Sequence, residues 1–110
     1  MNDEIDSLLT EKIRSRFSDG RKCQEIQQMV GILGNPCRFR IICVLSEGDF
    51  PVLQIVDLIG EKPSNVSQQL KLMHLAGYLS RERRGKQIYY RLESEKLRRI
   101  FDLLHSLFDN

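Results

Sequence analysis

Apolar positions along the chain recur three or four residues apart in six segments, which places them on one face of a helix in each. The predicted helices cover about residues 3–17, 22–33, 36–46, 51–59, 65–75 and 93–108. Asn35 and Ser64 are the predicted N-caps of the third and fifth helices, and Pro36 suits a first helical turn. The inward side chains expected of the third and fourth helices are Phe39, Ile42, Cys43 and Leu45, then Leu53, Val56, Leu58 and Ile59.

The helical spacing stops after Gly77 and gives way to two extended segments, residues 78–84 and 87–92. They flank Gly85 and Lys86, which is the signature of a β-hairpin with a two-residue turn. The predicted fold is therefore mainly α with one β-hairpin. We expect a helical extension over residues 1–20 and a single compact domain over residues 21–110.

A length of 110 residues is the size of one domain, and 41% hydrophobic with 29% charged residues suits a folded chain. The acidic start lacks the order of a secretory signal, and no apolar stretch approaches the ~20 residues that span a bilayer. We therefore expect a cytoplasmic protein with reduced cysteines and no membrane partner.

The net charge of +2 conceals an uneven distribution. Residues 62–91 contain seven basic residues and one acid, or +6, whereas the other eighty contain ten basic and fourteen acidic residues, or −4. A basic segment in a small domain suits contact with a polyphosphate, and a solvated charged face is the alternative.

The fourth and fifth helices, joined by a short turn, form a helix-turn-helix. Hydroxyl, amide and cationic side chains on the fifth helix suit base edges and phosphates, and the basic hairpin tip suits a second phosphate contact. The candidate DNA-binding residues are Ser64, Asn65, Ser67, Gln68, Lys71 and His74 on the helix, with Arg83, Arg84, Lys86 and Gln87 on the hairpin.

The stretch from Val30 to Leu92 resembles the winged helix-turn-helix repressors of the ArsR/SmtB family. The motifs that carry the resemblance are LGNPCRFRIICVL, QIVDLIG, SNVSQQLKLMHLAGYL and RRGKQIYYRL. The resemblance implies a homodimer joined through the first and last helices, which binds dyad-symmetric operator DNA and releases it when an inducer binds. The implied dimer face consists of Ile26, Met29, Val30, Ile100, Phe101, Leu104 and Phe108.

The two common metal sites of that family are not matched in this chain. Where one type has a pair of cysteines, the chain has Gln54 and Val56, with only Asp57 retained. The other type uses four ligands on the last helix, and the corresponding positions are Ser94, Lys96, Leu107 and Asn110. We therefore predict no metal and no cofactor.

A third branch of the family, typified by HlyU and BigR, senses oxidants or persulfides with two cysteines, and this branch has the nearest resemblance. Cys43 matches the first of those positions, whereas the second falls near Asp109. Cys23 is a candidate second thiol, and Cys37, beside Arg38 and Arg40, has a setting that lowers a thiol's pKa. The alternative for Cys43 is a small apolar residue of the core.

The leading functional hypothesis is a sequence-specific DNA-binding regulator that represses transcription and is released by a thiol-directed signal. One alternative is a winged-helix module that binds proteins and not operators. Another is a metal-responsive regulator with a non-standard cysteine site. Catalysis is not expected, because the chain has two histidines, no nucleophile–base–acid set and no glycine-rich phosphate loop.

Overall fold

The computed structural model describes residues 3–109, which form six helices and a three-stranded antiparallel sheet with strand order β1-β3-β2. The helices are α1 (Asp3–Arg16), α2 (Gly20–Leu33), α3 (Pro36–Leu45), α4 (Val52–Ile59), α5 (Pro63–Leu75) and α6 (Glu95–Phe108). The strands are β1 (Phe50–Pro51), β2 (Leu79–Arg84) and β3 (Gln87–Leu92). Within residues 3–109, no helix is both long enough and apolar enough to cross a membrane.

The chain divides into two compact units between Gly31 and Ile32. The first unit contains α1 and most of α2, and its apolar side chains at Leu8, Leu9, Ile13 and Phe17 are exposed. The second unit contains the remaining elements. The predicted division of the chain at residue 20 stays a prediction.

The second unit has a continuous apolar core contributed by α3, α4, α5, α6 and the sheet. Its most deeply buried side chains are Ile41, Ile42, Leu45, Ile55, Val66, Leu70, Met73 and Leu97. Among the described residues, no polar or charged side chain is buried. Hydrophobic burial therefore accounts for how α3, α4 and α5 pack against one another.

The predicted start of α3 is confirmed. The Asn35 side chain accepts a hydrogen bond from the backbone N–H of Arg38 at 3.0 Å, with Pro36 in the first turn. The predicted inward set is partly wrong, because Ile41 and Cys37 are buried whereas Phe39 and Cys43 are only half-buried. A run of apolar residues marks every face of a short helix as apolar, and so it does not identify the innermost one.

The predicted set of inward side chains is wrong to a greater extent for α4. Leu53 and Leu58, predicted to point inward, are 73% and 55% exposed, whereas Ile55 is fully buried. Pro51 is the N-cap of this helix, which begins at Val52, one residue later than predicted. The extended backbone of Pro51 also pairs with Tyr89 of β3, in the two-residue strand β1. This two-residue strand was not predicted, because two residues are too few to show an alternating pattern.

The fifth helix begins two residues earlier than predicted and without the predicted cap at Ser64. Lys62 is the N-cap residue and makes no side-chain capping bond, and Pro63 is in the first turn. Proline favours this position because its fixed φ is already helical and its missing N–H would have no helical partner there. The β-hairpin is confirmed, with Leu79 opposite Leu92 and Arg84 opposite Gln87.

Candidate nucleic-acid interface

The turn between α4 and α5 orients the second helix of the pair. Gly60 ends α4 in the left-handed region at φ 69°, which favours glycine because it has no Cβ. Val66, Leu70 and Met73 then lie on one face of α5 and are completely buried. The opposite face exposes Ser64, Gln68 and Lys71, and Ser67 at its edge is half-buried.

Two of the predicted contact residues on α5 are engaged within the protein. The amide of Asn65 donates to the carboxylate of Glu61 at 2.8 Å and accepts from the amide of Gln69 at 3.3 Å. His74 is half-buried, and its ring lies edge-on to Tyr90 of β3 with 6.4 Å between ring centroids. The outward face therefore keeps Ser64, Ser67, Gln68 and Lys71 of the predicted set.

The hairpin turns through Gly85, whose φ of 65° again suits a glycine, and Lys86. The side chains of Arg83, Lys86 and Gln87 are exposed around this turn. The guanidinium of Arg83 also donates to the backbone carbonyl of Gly85 at 3.2 Å, across the turn. Cationic groups thus lie at the end of the hairpin, as predicted from the sequence.

Arg84 differs from the other cations of the hairpin because two carboxylates neutralise it. Its guanidinium donates to Asp49 at 2.8 Å and to Glu82 at 3.2 Å, and its carbon lies 4.6 Å from the centroid of the Tyr89 ring. The hydrogen bonds, with Asp49 first, raise the pKa of Arg84. Arg84 therefore connects the hairpin to the segment before β1. Because two carboxylates already compensate its charge, Arg84 is less available to bind a phosphate than Arg83 or Lys86.

The three cysteines have different environments. Cys37 is 3% exposed, and its pKa is raised from 9.0 to about 11 by burial, then by a hydrogen bond to Glu61. The expected lowering of the Cys37 pKa is therefore wrong, since burial and the carboxylate outweigh the two neighbouring arginines. Burial also raises the pKa of half-buried Cys43, and the half-buried Cys23 thiol donates to the carbonyl of Arg16 at 3.3 Å.

Within residues 3–109, no three His, Cys, Asp or Glu side chains are grouped closely enough to hold a metal ion. Sequence reasoning also missed three residues that position the candidate site. Gln69 could have been found, because it lies four residues after Asn65 on the same face of the predicted helix. Glu61 lies in the turn between α4 and α5, so helical spacing does not predict its contact with Asn65. Asp49 gave no such signal, since it lies 35 residues from Arg84 along the chain.

The sequence is similar to those of known proteins. The profile of the family described as "Bacterial regulatory protein, arsR family" matches residues 35–81, which run from the cap of α3 into β2. The "Biofilm growth-associated repressor" of Xylella fastidiosa is 31% identical to the chain, over 80% of this chain and 77% of the relative. The chain belongs to the arsR family of bacterial regulatory proteins. The repressor of the same name in Agrobacterium fabrum is 30% identical over 80% of this chain and 75% of its own length.

Solved structures of transcriptional regulators have the same fold. The transcriptional repressor BigR from Xylella fastidiosa is 29% identical, with a TM-score of 0.78, 86% of this chain covered and 97% of BigR. A "homodimeric winged helix-turn-helix DNA-binding domain" from Mycobacterium bovis is 25% identical, with a TM-score of 0.71, and the match covers 82% of this chain and 85% of that domain. The winged-helix architecture predicted from the sequence is confirmed, and the third strand adds to the single hairpin of the prediction.

Proposed function

We propose that the protein is a DNA-binding repressor that acts as a homodimer on a dyad-symmetric operator. The observation that carries the proposal is the pairing of the outward face of α5 with the cationic end of the hairpin. One helix offers uncommitted polar side chains beside a hairpin with exposed positive charge, which matches a major-groove reader and a backbone-binding wing. The relatives named as repressors support the direction of the effect on transcription.

Within this proposal, the candidate residues divide into three roles. Ser64, Ser67 and Gln68 contact base edges, and a glutamine amide can bond adenine with both its donor and its acceptor. Lys71, Arg83, Lys86 and Gln87 contact phosphates, since they are exposed at the helix and the hairpin turn. Asn65, His74 and Arg84 hold these contacts in place through the internal bonds and ring contact described above.

The dimer in this proposal uses α2 and α6. Ile26, Val30 and Phe108 are exposed apolar residues, Leu104 is 36% exposed, and Ile100 is half-buried. Met29 and Phe101 are each buried, so neither contributes an exposed side chain to the proposed dimer face. Two α5 helices in one dimer would enter successive major grooves, about 34 Å apart.

For regulation, we propose a thiol-directed signal that acts at Cys43, with Cys23 as the second candidate. Both thiols are half-buried, whereas Cys37 is almost inaccessible. Burial raises the pKa of both Cys37 and Cys43, so accessibility is what favours Cys43 over Cys37. Operator complexes titrated with a persulfide donor should dissociate for the wild type and remain bound for Cys43→Ser or Cys23→Ser. If wild type and both variants stay bound alike, thiol sensing is refuted.

The decisive experiment selects the preferred site of the purified protein from a random duplex library of about three helical turns. We expect a palindromic consensus, a two-protomer complex, and a Kd for this selected duplex far below that for a scrambled duplex of equal length. Gln54→Ala, which removes an exposed glutamine from α4, is the matched control for Gln68→Ala. Failure to enrich any sequence would refute operator binding and favour the protein-interaction alternative. A repressor of this kind works where the chromosome lies, so we place it in the bacterial cytoplasm.

A further inference from the structure

Arg38 on α3 joins two other helices through one guanidinium. Its Nε donates to the backbone carbonyl of Ile32 at 3.1 Å, and its Nη1 donates to the side-chain oxygen of Gln69 at 2.9 Å. Ile32 lies in the last turn of α2, where helix carbonyls have no partner within the helix, and Gln69 lies in the middle of α5. A single side chain thus connects the end of α2 to the helix proposed to read DNA.

The bond from Arg38 is the first of a continuous series. The Gln69 amide donates to Asn65 at 3.3 Å, and the Asn65 amide donates to Glu61 at 2.8 Å. Glu61 accepts a further bond from Arg40 at 2.9 Å, which returns the series to α3. We name these five residues, Arg38, Gln69, Asn65, Glu61 and Arg40, the α3–α5 brace.

The two arginines and the Glu61 carboxylate fix the direction of every bond in the brace. A guanidinium can only donate and a carboxylate can only accept. Arg38 therefore holds the oxygen of Gln69, which turns the Gln69 amide nitrogen toward the oxygen of Asn65, and the Asn65 nitrogen then meets Glu61. Each amide has one orientation that satisfies both neighbours, and such a series polarises and strengthens its own bonds.

The brace supplies what the apolar contacts of α5 lack. Val66, Leu70 and Met73 hold α5 against the core, but hydrophobic attraction is not directional and restricts a small rotation of the helix less sharply than hydrogen bonds do. A side-chain tip lies about 5–6 Å from its helix axis, so a rotation of about 10° moves the tip by about 1 Å. That displacement is enough to spoil a hydrogen bond to a base edge.

We infer that the α3–α5 brace sets the rotation of α5, so that Arg38 and Gln69 determine operator discrimination without touching DNA. This inference rests on the proposed function. Arg38 and Gln69 are positioning residues in it, and their neighbours on the outward face, Ser67 and Gln68, make the contacts. Substitution in the brace should therefore reduce the preference for the correct sequence and leave the general affinity for DNA unchanged.

The test uses Arg38→Met, Gln69→Leu and their double variant in the full-length protein. Kd is measured by fluorescence anisotropy for the selected duplex and for the scrambled duplex at one salt concentration. Each single variant should raise the Kd for the selected duplex about tenfold, as expected for loss of a charge-assisted hydrogen bond. The Kd for the scrambled duplex should change less than about twofold. Because the two residues act as a unit, the double variant should lose no more affinity for the selected duplex than either single variant does.

Arg98→Met is the matched control. Arg98 is half-buried like Arg38 and also joins separate elements, since it donates to the carbonyls of Ser46 and Leu92, but it has no bond to α5. We expect it to lower the melting temperature without changing the ratio of the two Kd values. Arg38→Lys keeps the charge but lacks the separate Nε and Nη1 donors that reach Ile32 and Gln69, so it should lose discrimination as Arg38→Met does.

The alternative outcomes are distinct. Equal weakening on both duplexes by Arg38→Met, with Arg38→Lys binding as the wild type does, would make Arg38 a phosphate contact and overturn the inference. An unchanged Kd ratio in Arg38→Lys and Gln69→Leu would also overturn it and leave the brace a role in stability alone. A wild-type protein that binds neither duplex would instead refute the proposed function itself.

Discussion

Removal of the two cations beside Gly85 at the hairpin turn, through Arg83→Ala with Lys86→Ala, should change how the affinity for DNA depends on salt. Both side chains are exposed at the turn, and neither shares the pair of carboxylates that surrounds Arg84. In a dimer, two cations from each protomer would neutralise four phosphates. Their loss should lower affinity for every DNA sequence, since phosphate contacts carry no sequence information.

The size of the effect follows from counterion release. Each phosphate contact contributes about 0.9 to the slope of log Kd against log salt, so four contacts contribute about 3.6. Between about 50 and 200 mM salt, the wild type should therefore lose on the order of 100-fold more affinity than the double variant. Anisotropy titrations of one labelled duplex at several KCl concentrations measure both slopes.

Arg84→Ala is the control in the same strand. Asp49 and Glu82 already neutralise the guanidinium of Arg84. Removal of Arg84 should therefore lower the salt slope by less than about 0.9 per protomer, which is the contribution of one phosphate contact. An unchanged slope in the double variant would show that the hairpin does not contact phosphate. If Arg84→Ala lowered the salt slope as much as the double variant does, that result would show that Arg84 leaves its carboxylates when DNA binds.

Three further outcomes test the site and the core. Gln68→Ala should cost about 1–3 kcal/mol on the selected duplex and far less on a scrambled one, and equal losses would reassign Gln68 to phosphate contact. Leu70→Ala should lower the free energy of unfolding by about 2–5 kcal/mol in urea denaturation, whereas Leu75→Ala, at a position 85% exposed, should stay within about 0.5 kcal/mol. The raised pKa of Cys37 favours its neutral thiol in the folded state, so this stabilisation is complete below pH 9.0 and lost as pH rises to about 11. Urea denaturation at pH 8 and pH 10.5 should show a larger loss of stability for the wild type than for Cys37→Ala, which retains Cys43 with its own raised pKa, and identical pH profiles would contradict the burial argument.

Features that depend on local spacing were predictable from the sequence. The helices, the cap at Asn35 and the hairpin around Gly85 each depend on residues within a few positions of one another. The inward face of α5 was also predictable, because Val66, Leu70 and Met73 are separated by polar residues that mark the opposite face. Family membership followed from the same short motifs.

Features that depend on long-range contact or on competing forces were not predictable. In α4 nearly every residue is apolar, so nothing in the sequence distinguished buried Ile55 from exposed Leu53. The pairing of Asp49 with Arg84 requires the sheet to bring distant residues together. For Cys37, the sequence showed two nearby arginines but neither the burial nor the carboxylate of Glu61 that outweighs them.

The faces of α5 have separate roles, and this separation affects how proteins of this kind diversify. The buried face fixes the packing of the helix, the flank holds the brace, and the outward positions 64, 68 and 71 share no side-chain bond with either. Substitutions at those three positions therefore carry little penalty in folding, since surface changes away from such features usually cost less than about 0.5 kcal/mol. After gene duplication, a copy could acquire a new set of target promoters through these positions alone, while both copies kept the same scaffold and the same helix orientation.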